Sequence, residues 1–274
     1  MPNESENTRP TISNIRKMLS QAEKGGVQNT IQNCVTVLQN DPILADSIRL
    51  NLLSERIDIV KPMGWQRSGP TLTDTDMMYI LRRMEKYGLY SEKRVSAAIR
   101  IVANENHYHP IRDYLNELKW DGTARISRAL HRFLGAAEDE LTTEALKIFL
   151  LGAIKRVFHP GCKFEMMLCL VGGQGAGKSS FFRLLAIKDE WFSDDLRRLD
   201  DDNVFRKLQG HWIMEMSEMI ATANAKSIEE IKSFLSKQKE TYKIPYETHP
   251  ADRLRQCVFA CLLYTSPSPR DSTS

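Results

Sequence analysis

The chain has 274 residues, enough for one or two domains, with 42% hydrophobic and 27% charged residues and a formal net charge of +3. That charge is too small to indicate nucleic-acid binding by itself, and no apolar run approaches the roughly 20 residues of a membrane helix. The polar start MPNESENTRP reads as no signal peptide, and the five cysteines, odd in number and without a CxxC pair, read as reduced thiols of a cytoplasmic protein rather than a disulfide frame or zinc site.

Residues 1–10 are expected to be disordered, and helical patterns dominate 11–139. TISNIRKMLSQAE begins at a Thr or Ser cap and carries apolar residues at helical spacing, as does NTIQNCVTVLQND. IRLNLLSERIDIV alternates apolar and polar residues, a pattern compatible with a short hairpin. TDTDMMYILRRMEKYG reads as a helix, with Asp and Thr at its start and Gly at its end, and SEKRVSAAIRIVANEN as another. HPIRDYLNELKWDGTARI places a turn at its Trp-Asp-Gly tip, and EALKIFLLGAIKRVFHPG reads as a long buried helix ending at Pro160 and Gly161. A domain boundary is expected near 124–140. From Lys163 short apolar runs such as FEMMLCLVG, HWIMEMSE and QCVFACLLY alternate with helices, which predicts an α/β fold with a parallel sheet.

The stretch LCLVGGQGAGKSSFFRLLA matches G-x-x-x-x-G-K-[ST] in full, with a strand expected before it and a helix after it. Its glycines let backbone N–H groups wrap a phosphate chain, and the following helix adds the positive end of its dipole. The expected nucleotide-binding set is Gly172, Gly173, Gln174, Gly175, Ala176, Gly177, Lys178, Ser179 and Ser180, the last also readable as helix surface. Lys178 is expected to reach the β and γ phosphates of ATP, and Ser179 to ligate Mg2+. Such a site needs a carboxylate at the end of a neighbouring strand. GHWIMEMSEM offers Glu215 for the metal side and Glu218 to activate water, and the sequence leaves their order open.

In IKSFLSKQKETYKIPY, Lys232, Lys237, Lys239 and Lys243 lie among Tyr242 and Tyr246, a pattern that suits a phosphate backbone and stacked bases or, equally, a solvated helix face. The six histidines show no paired metal spacing.

HPIRDYLNELKWDGTARI, FHPGCKFEMMLCLVGGQGAGKSSFFRLLA, DEWFSDDL, LQGHWIMEMSEM, IKSFLSKQKETYKIPY and RLRQCVF occur in this order. The set resembles the virulence-associated protein E family of phages and mobile islands, over roughly 30–259. The resemblance implies a P-loop NTPase core similar to superfamily 3 helicases of the AAA+ class, over 140–259, behind a mainly helical N-terminal region. It implies ATP hydrolysis with Mg2+, coupled to DNA unwinding in phage or mobile-element replication in a bacterial host cell. It also implies a homo-oligomeric ring, hexameric; residues 1–115 show no primase signature, so priming is expected to need a separate protein. Lys232, Lys237 and Lys239 become the candidates for DNA contact, and Arg255, with Arg253 as the alternative, for the arginine that reaches a neighbour's nucleotide.

The chain departs from the family where Glu240, Lys243 and Thr248 replace an Asp and two arginines. After RQCVF it reads ACLLYTSPSPRDSTS in place of a strand with a Thr-Asn tip. Residues 260–274 are therefore expected to be a non-native or disordered tail, and the ATPase core truncated. Two rival expectations follow: an ATPase switch or loader that does not unwind DNA, and a non-enzymatic fragment that binds DNA or partners.

Overall fold

A computed structural model of the chain describes residues 10–196, 204–216, 225–242 and 251–264. The chain divides into two compact units, Met1–Pro110 and Ile111–Ser274.

The first unit holds α1 (Ile12–Met18), α2 (Ile31–Asn40), the strands β1 (Ile48–Asn51) and β2 (Arg56–Ile59), α3 (Asp74–Glu85) and α4 (Glu92–Glu105). The threonines that the sequence places before three of these helices cap them. Thr11 and Thr30 accept the N–H of Asn14 and Asn33, and Thr73 forms a reciprocal capping box with Asp76. β1 and β2 form the antiparallel hairpin, with Ile48 opposite Ile59. Ile15, Val37, Leu38, Ile80, Met84, Val95 and Ile99 pack into one core. Two buried carboxylates staple its rim. Asp41 accepts from Arg83 Nε at 2.8 Å and from the Tyr87 hydroxyl at 2.6 Å. Asp76 accepts from Trp65 Nε1 and Arg67 Nε, each at 2.8 Å.

The second unit opens with α5 (Pro110–Glu117), α6 (Ile126–Leu134) and α7 (Glu140–Phe158). α6 stops at Gly135, whose left-handed backbone (φ 67°) returns N–H groups to the last carbonyls. α7 starts at Asp139, which accepts the Thr142 N–H at 2.8 Å. One face of α7 is buried through Leu146, Phe149, Ala153 and Val157, while Leu151 and Ile154 on the other face are exposed. It is thus a half-buried helix rather than the fully buried one its apolar content suggests, because only one side packs against the sheet.

Next come β3 (Met167–Gly172), α8 (Lys178–Leu185), β4 (Phe192–Leu196), α9 (Val204–Leu208), β5 (Ile213–Met216), α10 (Ala225–Ser236), β6 (Lys239–Tyr242), β7 (Ala251–Leu254) and β8 (Val258–Tyr264). β3, β8, β5 and β4 form a four-stranded sheet in that order, with every pairing parallel. β6 and β7 form a separate antiparallel pair. The α/β fold and parallel sheet expected from the alternating pattern are present.

β8 is a central strand, buried on both faces as parallel strands are. Ala260, Cys261 and Leu262 are buried in it, between β3 and β5. The stretch from 260 onward that the sequence suggests is a tail therefore begins inside the sheet, because an unbroken apolar run fits a strand flanked on both sides. Residues 265–274 lie outside the described residues.

Arg156 ties α7 to the strands. It is fully buried and donates to the carbonyls of Cys257 and Phe164, each at 2.7 Å. One turn earlier Gly152 seats the Phe164 ring, for a Cβ there would lie 2.2 Å from Phe164 Cζ. Among the described residues no helix is long and apolar enough to cross a membrane.

Candidate functional site

In a parallel sheet, functional groups gather beyond the carboxyl ends of the strands. β3 ends at Gly172, and the chain turns through 173–177 into α8. Gly175 and Gly177 have φ of 81° and 77°, and a Cβ on either would meet nothing within 4 Å. Glycine is required there by the left-handed backbone and not by crowding. The Lys178 side chain is buried, and its Nζ donates to the carbonyls of Gly172 and Gly173, each at 2.7 Å. The ammonium is thereby held against the start of the loop.

Ser179 follows, and its side chain faces Glu215 on β5. Glu215 Oε2 is buried and meets no hydrogen-bond donor among the described residues. Burial pushes the Glu215 carboxyl above its ordinary pKa. The Ser179 side chain opposes this, Asp194 adds to it, and Arg183 opposes it. Arg183 and Asp194 lie 3.8 Å apart. Glycine loop, ammonium, hydroxyl and carboxylate, read from separate stretches of sequence, thus lie at the carboxyl ends of β3 and β5. Ser180 points to a different neighbourhood, where with Gly177 it lines an apolar cavity beside α6. Among the described residues no three His, Cys, Asp or Glu side chains gather as a metal cage.

Glu218, Lys243, Tyr246 and Thr248 lie outside the described residues. Arg255 corrects an expectation. Its side chain is 1% exposed and pairs with Glu240, its guanidinium also donates to the Phe234 carbonyl, and it lies over the Phe234 and Phe259 rings at 4.6 and 5.2 Å. A guanidinium held in its own core this way does not reach a neighbouring subunit. Each of the three candidate lysines lies beside a carboxylate. Lys232 pairs with Glu229 at 3.0 Å, Lys237 lies 3.8 Å from Glu240, and Lys239 pairs with Asp252. All three side chains are solvent-exposed.

Sequence reasoning missed Arg156, whose role depends on carbonyls far along the chain. It also missed the cavity beside α6. The alternation of Arg125, Arg128 and Arg132 with Ile126, Ala129 and Phe133 in RISRALHRF marks an amphipathic helix, which was the available signal.

Fold and site together define an α/β domain in which a parallel sheet carries a glycine-rich loop between a strand and a helix. The chain belongs to the virulence-associated protein E-like domain family, whose model matches residues 115–262. No curated protein matches it. The A-form apo structure of the NrS-1 C-terminal region superposes with a TM-score of 0.49 at 14% identity, covering 85% of this chain and 57% of its own. A further apo structure of that region gives 0.49 at 14% identity, covering 86% and 58%. The chain spans a little over half the length of these structures.

Proposed function

We propose that the chain is a Mg2+-dependent P-loop ATPase of the DNA-helicase type, serving replication of phage or mobile-element DNA. One observation carries the ATPase reading: the Ser179 hydroxyl and the unsatisfied Glu215 carboxylate stand together where the glycine loop enters α8. A buried acceptor without a donor is costly in a folded protein. A divalent cation satisfies such an oxygen, and Mg2+ usually takes only one or two protein ligands, its others being phosphates and water. The residues present fit that group.

In this reading the loop N–H groups and the positive end of α8 hold the phosphates. Lys178 neutralises the β and γ phosphates, and Ser179 with Glu215 holds Mg2+, which offsets charge on the transferring phosphoryl group. Glu218 orients the attacking water. The assembly is a ring, hexameric, with nucleotide between subunits, and Arg253 on β7 replaces Arg255 as the candidate that acts across that interface. Lys232, Lys237 and Lys239 contact DNA. The exposed pairs of Lys232 with Glu229 and Lys239 with Asp252 are worth about 0–1 kcal/mol each, so a DNA phosphate displaces those carboxylates at little cost.

The experiment is ATP hydrolysis with and without single-stranded DNA, for the full chain and for Lys237→Ala/Lys239→Ala. Stimulation by DNA that the double variant loses supports the helicase reading. Hydrolysis indifferent to DNA supports the switch or loader, which the carboxylate-paired lysines favour.

A further inference from the structure

Between α6, α7 and α8 lies a cavity of about 490 Å3. Gly177 and Ser180 form the wall where the loop enters α8, and Ala129, Phe133, Leu150 and Leu184 form much of the rest. Its lining is almost wholly apolar. Arg125 stands at the rim, but Asp121 holds its guanidinium with two hydrogen bonds of 2.8 and 2.6 Å. Phe133 is 66% exposed and Leu184 75% exposed. Large apolar side chains left in water around a concavity of this size mark a ligand site.

The position of the cavity says which ligand. Gly177, the last residue of the glycine loop, and Ser180, in the first turn of α8, both belong to the cavity wall. A group joined by a few bonds to phosphates on the loop, and directed along the outer side of α8, enters here. The nucleoside end of a nucleotide is such a group, with a flat base whose faces suit apolar walls. Base selection, by contrast, requires fixed donors and acceptors aimed at the base edge, and these walls offer almost none.

We infer that this cavity takes the base of the bound nucleotide by burial alone, so that the site accepts purine and pyrimidine triphosphates alike. The inference rests on the phosphate-loop reading above. Sites built to hydrogen-bond a substrate group reject its analogue by about 10⁴-fold or more, whereas apolar pockets discriminate by only about 10- to 200-fold.

Calorimetric titration of the full chain with ATP, GTP, CTP, UTP and inorganic tripolyphosphate, all with Mg2+, tests it. The four nucleotides are expected to bind within about tenfold of one another. Ala129→Trp fills the cavity and should weaken all four toward the affinity of tripolyphosphate, which itself stays unchanged. Leu184→Gln, at an exposed helix position, should act in the same sense more mildly and covers the case in which the tryptophan disturbs packing. A preference for ATP above about 1,000-fold overturns the inference. So do nucleotide affinities that neither variant changes, or an equal loss for nucleotide and tripolyphosphate. If the unmodified chain binds neither nucleotide nor tripolyphosphate, the phosphate-loop reading itself fails and takes the inference with it.

Discussion

Ser179, early in α8, faces Glu215, near the end of β5, and Oε2 of the Glu215 carboxylate is buried with no donor among the described residues. β8 lies between β3 and β5 in the sheet, so this contact is made over the top of an intervening strand. It is the point where the glycine loop and the acidic strand become one site.

Lys178 is the ammonium held against Gly172 and Gly173. Lys178→Ala is expected to lower ATP turnover on the order of 10²-fold or more, the usual loss when one charge-stabilising donor is removed. Steady-state phosphate release measures it. Turnover at the unmodified rate would remove Lys178 from the site.

Burial holds the Glu215 carboxyl above the ordinary glutamate pKa of about 4.3. The folded chain therefore binds that proton more tightly than the unfolded chain. Stability falls as pH rises from about 4.3 through the folded value and stays lowered above it. Glu215→Gln should raise the melting temperature by about 2 °C at pH 7.5, with the gap closing toward about pH 4. The same variant should lose the Mg2+-dependent part of nucleotide binding. A lower melting temperature at pH 7.5 would mean that the carboxylate stabilises the apo protein.

Asp76 has the opposite sign. Burial pushes its carboxyl up, but hydrogen bonds from Arg67, Trp65 and Thr73 together outweigh this and hold it well below the usual carboxylate range. Its contribution is full above the unfolded value of about 3.9 and is lost as pH falls below that toward the folded value. Asp76→Asn should cost about 2 kcal/mol at pH 7, the scale of charged hydrogen bonds, and progressively less below about pH 4. Denaturant unfolding followed by Trp65 fluorescence reads the loss directly, since Trp65 donates to this carboxylate.

Arg255 pairs with Glu240 inside the core. Arg255→Ala should therefore destabilise the second unit by about 3–5 kcal/mol, the cost of leaving a buried partner charge uncompensated. Arg255→Lys should rescue little, because one ammonium does not replace a planar fork spanning Glu240 and the Phe234 carbonyl. Thermal melting decides this. An unchanged melting temperature with lost hydrolysis would return Arg255 to an interface role.

Local chemistry was legible in the sequence. Thr11, Thr30 and Thr73 announce their helices because a cap acts within three residues, and the glycine loop announces itself because its backbone demands are local. Glu215 was legible because an apolar run places it near a strand end. Arg255 was not, since its fate depends on Phe234, Glu240 and Phe259 closing around it. The short strand β4 in WFSDDL was also missed, because its two consecutive aspartates break the apolar run and only pairing with β5 makes it a strand. The place of β8 between β3 and β5 is a property of the whole sheet, and no window of sequence carries it.

That placement dictates an order of assembly. During synthesis β3, α8, β4 and β5 emerge well before β8, yet among the described strands β3 pairs only with β8. Until residues 258–264 are made, the strand that launches the glycine loop has no partner, and the edge of β5 that β8 will cover stays open. Non-local pairings of this kind close slowly and leave sticky edges while they wait. The glycine loop and the acidic strand are held in register only when β8 slides between them, so the candidate site takes shape only after residues 258–264 have joined the sheet.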